Sequence, residues 1–433
     1  MLRLMIVTCA VVTCLIAQAQ TSVYDTVYTG ERGALSTFYG LATQSKTTTT
    51  FNDWHLAISI RASAFPTSPL RGTTMRMNEP IGVNVYYVPN TSAAQFDNLD
   101  TTGYTQWTKL HDCDTALDEG VLNSNRDRNA IFDFGWGVYN SSTHNVVGDS
   151  VYLIELPNGE LKKLTVILLQ RDTSFDIKYA NLDNSNLQTI HIGKRDYIGK
   201  QFVYLNMLNN TVTDKEPLGT AWDLQFLRYD ASDYIDGKHV PVIGVWLNKG
   251  LEAARRTHHD VADNNYSNLT FSTEMNTIGW SWKRQINVMA IESGKTESEG
   301  LSVYALEDST SYFIKTRNGE YYKLVFTGYN AQSGVISFYT QDLSSATAIN
   351  EAENEVTLQT KVFPNPAGSQ LNVFTPALPA TLRVIDLSGR VLNELPATDS
   401  LTQLNTTSLA NGVYLLQTSY NGKTTTNRFV INQ

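Results

Sequence analysis

Side chains able to do chemistry are thinly spread over these 433 residues. The seven histidines are His55, His111, His144, His191, His239, His258 and His259. Imidazole serves as a general base or as a nitrogen ligand to a metal. Only His258 and His259 are neighbours, and Arg255 and Arg256 lie just before them. Along a strand, consecutive side chains point to opposite faces, so this pair cannot serve one metal together. Carboxylates cluster at Asp230, Asp233 and Asp236, and again at Asp112, Asp114, Asp118 and Glu119. Such oxygens can hold Ca²⁺, but neither run has the alternate-position spacing of an EF-hand loop. Solvated loop acids are the ordinary reading. The chain has no His-Glu-x-x-His, Gly-x-Ser-x-Gly, phosphate-cradling glycine loop or Cys-x-x-Cys. Cys113 has no sequence partner that would activate its thiol. A binding protein is expected, not an enzyme.

The composition says what must position these residues. Hydrophobic residues make up 42%, charged residues 17%, and there are 22 Tyr and 16 Phe. Abundant aromatics with few charges favour pleated, half-buried surfaces over long solvated helices. A net charge of −9 without a basic block argues against nucleic acid or an anionic membrane as partner.

Both ends carry addresses. Arg3, the apolar run Leu4 to Ala17 and Ala17-Gln18-Ala19 read as a secretory signal peptide over residues 1–19. Cys9 and Cys14 fall inside it, so Cys113 alone remains and the mature fold has no internal disulfide. No later apolar run approaches the ~20 residues of a membrane-spanning helix. Residues 344–356 are polar and Glu-rich, a linker composition. After them, short alternating segments between turns predict a small β-sandwich over 357–433, with five Lys/Arg against three Asp/Glu. Phe363-Pro364-Asn365-Pro366, Asp386-Leu387-Ser388-Gly389-Arg390 and Asn411-Gly412-Val413-Tyr414 stand in order there. In them the segment closely resembles the C-terminal sorting domain of the type IX secretion system of Bacteroidetes. The resemblance implies that residues 357–433 engage that machinery and that the cargo is exported to the cell surface, associated with the outer membrane, or to the medium.

The cargo compares with itself. Tyr152 to Leu164 aligns with Tyr312 to Leu324 at an offset of 160, through Tyr, Ile, Asn, Gly, Glu, Lys and Leu. Trp54-His55-Leu56 matches Trp222-Asp223-Leu224, Gly30-Glu31-Arg32 matches Gly193-Lys194-Arg195, and Ile81-Gly82-Val83 matches Ile243-Gly244-Val245. These matches suggest two repeats, 20–183 and 184–343. Asn158-Gly159 and Asn318-Gly319 between alternating strands signal hairpins. Leu251 to Arg256 is the single tempting helix. The expected fold is all-β: two β-rich repeats, then the sandwich.

The second repeat resembles the HmuY family of Bacteroidetes hemophore-like proteins. The likeness runs through Tyr197 to Tyr204, Ala221 to Tyr229, Asn276 to Trp280, Tyr312 to Phe326 and Gly334 to Phe338, and the first repeat looks like a diverged copy. It implies an all-β fold and haem, or a haem protein, as partner. Haem needs axial His, Met, Tyr or Cys, apolar walls, and often cations near its propionates. The family's ligands come from a finger region that here holds His111, His144, Met75 and Met77 in the first repeat. In the second it holds His239, His258, His259, Met275 and Met289. His144 is the preferred iron ligand in the first repeat. His258 or His259 leads in the second, ahead of Met289, with Arg255 and Arg256 placed for propionates. The alternative is a non-enzymatic surface protein that keeps the fold without haem and binds glycans or other surface partners.

Overall fold

Alternating apolar and polar residues become strand almost throughout the computed structural model. It describes residues 22–63, 70–232, 238–287, 302–307, 309–344, 360–375, 378–386, 388–399, 401–420 and 423–432. The expected leader, Met289, Asp233 and Asp236, and nearly all of the expected linker lie outside them. The fold is all-β. The chain divides into two compact units, residues 1–347 and 348–433.

The first unit opens with three strands, β1 (Ser22–Tyr28), β2 (Leu35–Tyr39) and β3 (Lys46–Thr50). Next come β4 (Leu56–Ser59), β5 (Met75–Met77), β6 (Asn84–Tyr87), β7 (Lys109–Leu110), β8 (Gly137–Asn140), β9 (Asn145–Gly148), β10 (Tyr152–Glu155), β11 (Leu161–Gln170) and β12 (Ser174–Asn181). Three more follow, β13 (Gln188–Gly193), β14 (Phe202–Asn206) and β15 (Thr211–Thr213). The last group is β16 (Leu224–Ala231), β17 (Val240–Leu247), β18 (Glu252–Arg256), β19 (Lys283–Asn287), β20 (Ser302–Leu306), β21 (Ser311–Lys315), β22 (Tyr321–Asn330) and β23 (Val335–Asp342). The tempting helix, Leu251 to Arg256, is therefore strand from Glu252 onward. Pairing of β18 with β21, Ala253 opposite Ile314, overrides its helical propensity.

Strand pairing crosses the expected boundary between residues 183 and 184. One outer sheet runs β13-β12-β11-β10-β6-β7 and the other β1-β23-β22-β21-β18. Two inner sheets run β15-β14-β4-β5 and β17-β16-β2-β3. The three opening strands thus complete sheets of the chain's second half, and β13, β14 and β15 complete sheets of its first half. The exchange is reciprocal. Leu56 of β4 faces Leu205 of β14, and Leu224 of β16 faces Tyr39 of β2.

Each inner sheet is apolar on both faces. In β14, Val203 and Leu205 enter a core with Leu56, Ile58, Trp136, Tyr152 and Phe175. The alternate residues Phe202 and Tyr204 turn to a second layer with Trp54, Ala57, Leu227 and Tyr229. In β16, Leu224 and Phe226 enter a third core with Val27, Tyr39, Leu324 and Phe338. Period-two alternation therefore sends one strand into two cores, and the unit stacks as four sheet layers with three apolar seams.

The two halves share local detail. The Asn158-Gly159 and Asn318-Gly319 turns close the β10–β11 and β21–β22 hairpins, with Gly159 at φ +84° and Gly319 at φ +82°. Bulges fall between Val166 and Leu168 and between Phe326 and Gly328. Lys163 and Lys323 are both fully buried, each donating to backbone carbonyls, Leu182 O and Val261 O. The Ile81-Gly82 match fails: residues 79–81 form a 3₁₀ turn, whereas Ile243-Gly244 lies within β17.

The second unit packs β24 (Lys361–Phe363), β25 (Gln370–Phe374) and β28 (Leu401–Asn405) as one sheet. The other joins β27 (Val391–Ala397), β26 (Ala380–Ile385), β29 (Gly412–Tyr420) and β30 (Lys423–Ile431). Leu371, Val373, Leu382, Leu416 and Phe429 fill the space between them. Its signature residues have structural work. Asn365 Oδ1 accepts from Val430 N at 2.9 Å, Asp386 Oδ1 from Ser388 N at 2.9 Å, and Tyr414 stacks on Phe429.

A chain spanning residues 51–344 tests the exchange. It lacks Val27, Tyr39 and Leu41 of the third core and bares edges of β16 and β23. Hydrogen exchange is expected to show β16–β23 unprotected while β4, β10–β12 and β14 stay protected. Protection retained in β16–β23 would contradict the exchange.

Candidate binding site between the inner sheets

The residues nominated for haem do not meet. His144 sits exposed in the β8–β9 turn at φ +60°, its Nδ1 2.8 Å from Tyr139 Oη. His258 is exposed at φ +56° beyond β18. His259 is half-buried near Arg256 and Asp263, with neither ring nitrogen hydrogen-bonded among the described residues. Arg255 donates to Ser281, while Arg256 donates to Asn265 O at 2.8 Å and pairs with Asp263 at 2.7 Å. Both guanidiniums thus have protein partners. Met75, Met77 and Met275 are core residues, 3% exposed or less. His55 is buried as well. Its Nδ1 accepts from Met207 N at 2.9 Å, and burial with nearby Lys162 pushes its pKa down to about 4.

The histidines that do converge are His111 and His239. One follows β7 and the other precedes β17, and their rings stack with centroids 3.7 Å apart and planes 10° from parallel. They line an open cleft of about 400 Å³ with Lys109, Asp112, Cys113, Asp114 and Arg128. His111 Nδ1 lies 2.7 Å from Glu79 Oε2, and Glu79 also accepts from Asp112 N. Asp112 takes backbone N–H groups of Val121 and Met77 at 2.6 and 3.1 Å. Asp114 ties the same loop to the other half through Ser232 and Asn276. The buried Nδ1 of His239 has no hydrogen-bond partner among the described residues.

Behind this cluster lies an aromatic chamber in the middle seam. Phe38, Phe51, Trp54, Phe202, Tyr204, Trp222, Tyr229 and Trp246 wall it, and Glu79, Asp112, Glu216 and Asp230 reach its lining. Its cavity is about 70 Å³, room for a few waters and far below that of a ligand-sized pocket. Arg76 closes one side with its guanidinium 5.1 Å over Trp246 and donates to the carbonyls of Cys113, Ala116 and Glu119.

Burial sets the electrostatics here. It pushes Glu79 up to about 7 and Asp112 up to about 7, and raises Asp230 as well. It lowers His111, with Lys109 adding to the effect, and lowers His239, with His111 adding. The short His111–Glu79 contact survives as imidazole N–H to carboxylate or as carboxylic O–H to imidazole. A carboxylate behind an imidazole is the arrangement that orients histidines at metal sites. No group of three or more His, Cys, Asp or Glu among the described residues is arranged to hold a metal ion. The acids of the first carboxylate run make separate contacts: Asp118 with Arg61 and Lys249, Glu119 with Arg128, Asp114 with Ser232.

The sequence held a signal for this site. His111 adjoins one acid cluster and His239 follows the other. They are 128 residues apart, and the exchanged sheets bring the two rings together.

A family model described as a secretion system C-terminal sorting domain matches residues 361–432. This end of the chain is a sorting domain. No curated protein matches the chain. Three solved structures are similar at low identity. One is PorZ, described as an essential bacterial surface component of the type-IX secretion system of Porphyromonas gingivalis. It is 11% identical, covers 68% of this chain and 44% of its own, and has a TM-score of 0.17. A putative HmuY-like heme binding protein from Bacteroides vulgatus is 14% identical over 32% of this chain and 82% of its own, TM-score 0.14. A biofilm associated protein BSP domain is 13% identical over 96% and 66%, TM-score 0.16. The chain thus spans less than half the length of PorZ. No helix among the described residues is long and apolar enough to cross a membrane. The sorting domain implies export and a surface or extracellular location.

The raised carboxyls make stability pH-dependent. Folded Glu79 and Asp112 hold protons that unfolded carboxyls release near pH 4. Their contribution is full below about pH 4 and is lost as pH rises through about 7. The lowered imidazoles act oppositely, losing stability as pH falls below about 6.5. Asp112→Asn is expected to flatten the loss of stability between pH 5 and 8 in urea denaturation. A difference from wild type that stays constant over that range would show Asp112 ionised throughout.

Proposed function

We propose that this is an exported surface protein that binds its ligand non-covalently and performs no catalysis. One observation carries the reading: a sorting domain follows a four-layer β unit whose two halves converge on a cleft at His111 and His239. Most side chains lining the cleft are polar or charged, Leu110 and Cys113 being the exceptions. It supplies donors, acceptors and imidazoles, which suits a hydrophilic partner. The fold kept without haem is the reading that this wall chemistry supports.

Haem is the narrower reading, and one feature favours it. Two imidazoles share a cleft, one oriented by Glu79, with Lys109 beside them for a propionate and Arg128 held by Glu119. Against it stand the missing apolar walls and the ring stacking. Axial ligands point a ring nitrogen at iron, whereas rings 3.7 Å apart face to face leave no space for a porphyrin between them. Haem in the aromatic chamber would need several times its volume.

Haemin titration separates the readings. If haem binds at the cleft, a sharp Soret band appears and His111→Ala or His239→Ala shifts it, while His144→Ala and the double change His258→Ala/His259→Ala leave it alone. A flat titration of folded protein leaves the haem-free reading. A band lost with His144→Ala would return the site to the β8–β9 turn.

Export is tested separately. The protein recovered from the surface or medium of the producing cell is expected to lack residues 357–433 by intact mass. Full-length protein retained in the periplasm would contradict the sorting role.

A further inference from the structure

The first unit has a second cleft, of about 550 Å³, lined by Arg61, Arg71, Lys194, Arg195, Lys200, Lys249 and Arg317. Seven cations in one cleft are not a by-product of composition, since the chain carries a net charge of −9. Both halves build it. Arg61 and Arg71 come from the β4–β5 connection, Lys194 to Lys200 from the exchanged segment after β13, Lys249 from beyond β17, and Arg317 from the β21–β22 turn.

Four carboxylates answer these cations. Asp118 pairs with Arg61 at 2.5 Å and Lys249 at 2.9 Å. Asp172 pairs with Lys194 at 2.5 Å, Asp214 with Lys200 at 2.9 Å, and Asp223 with Arg317 at 3.4 Å. Arg71 and Arg195 have no ion pair among the described residues. Arg61 is only 8% exposed, and its Nε and Nη2 are buried without an acceptor there, as is Arg71 Nε. Buried guanidinium N–H groups without acceptors are costly unless something occupies them. Arg61 also lies in the repulsive field of Arg71, and Lys194 in that of Arg61. An excess of mutually repelling cations with unused donors favours an anion as partner.

We propose that this cleft binds a tetrahedral oxyanion, the phosphate or sulfate group of a small solute. Arginine forks match such oxygens two at a time, and lysines add point charge. The volume exceeds that of the bare ion and falls within the range of small-molecule pockets, so it admits the group with part of the molecule that carries it. The site is separate from the His111–His239 cleft, so neither reading stands or falls with the other.

The test is calorimetric titration of the whole protein with inorganic phosphate and with glucose 6-phosphate, against sodium chloride at matched ionic strength. Arg71→Gln/Arg195→Gln is the reporter variant, because neither side chain holds an ion pair that the fold uses. Arg32→Gln, an exposed arginine outside the cleft, controls for loss of charge. Phosphate is expected to bind where chloride does not. The double variant should weaken it at least tenfold with an unchanged circular dichroism spectrum, and Arg32→Gln should not. Tighter binding of glucose 6-phosphate than of phosphate assigns an ester as the natural source, and equal binding assigns the free ion. Phosphate binding no stronger than chloride, or equal binding by the double variant, overturns the proposal.

Discussion

Backbone hydrogen bonding across the exchanged strands is the constraint on which the first unit rests. A strand edge left bare exposes a row of unpaired N–H and C=O groups. Here β4 and β12 take partners from the segment after residue 187, and β16 and β23 take theirs from the first 50 residues. Neither half can close its inner sheet alone. The exchange also explains why residues so far apart in sequence share sites. The middle seam, the histidine cleft and the cationic cleft all draw on both halves because the strands beneath them do.

Four stacked layers bury much backbone and leave little room for charge. Where charge is buried, it is anchored or shifted. Lys163 and Lys323 reach carbonyls from equivalent places on β11 and β22. Glu79 and Asp112 move toward neutrality because the seam desolvates them more than Arg76 compensates. The aromatic chamber is walled like a ligand pocket, yet its sheets close on one another until only a few waters fit. What stays open lies at the rims of the seam, where loops between exchanged strands diverge. Those rims are polar, which points toward hydrophilic ligands.

The sequence alone determined the elements whose physics is local. Alternation at period two gave an all-β chain. Asn158-Gly159 and Asn318-Gly319 marked two hairpins because positive φ favours glycine, and both form. Phe363-Pro364-Asn365-Pro366 and its companions marked the sorting domain, since those residues make its turns and edge contacts. The tertiary structure decided what depends on partners distant in the chain. It turned Glu252 to Arg256 into strand, because β21 offered hydrogen bonds that outweigh helical propensity. It placed His144, His258 and His259 apart on turns and brought His111 to His239, because exchange, not sequence order, sets which loops are neighbours. Strand periodicity specifies which face of a residue is buried. It does not specify against which strand, and every site in this unit is made by that second choice.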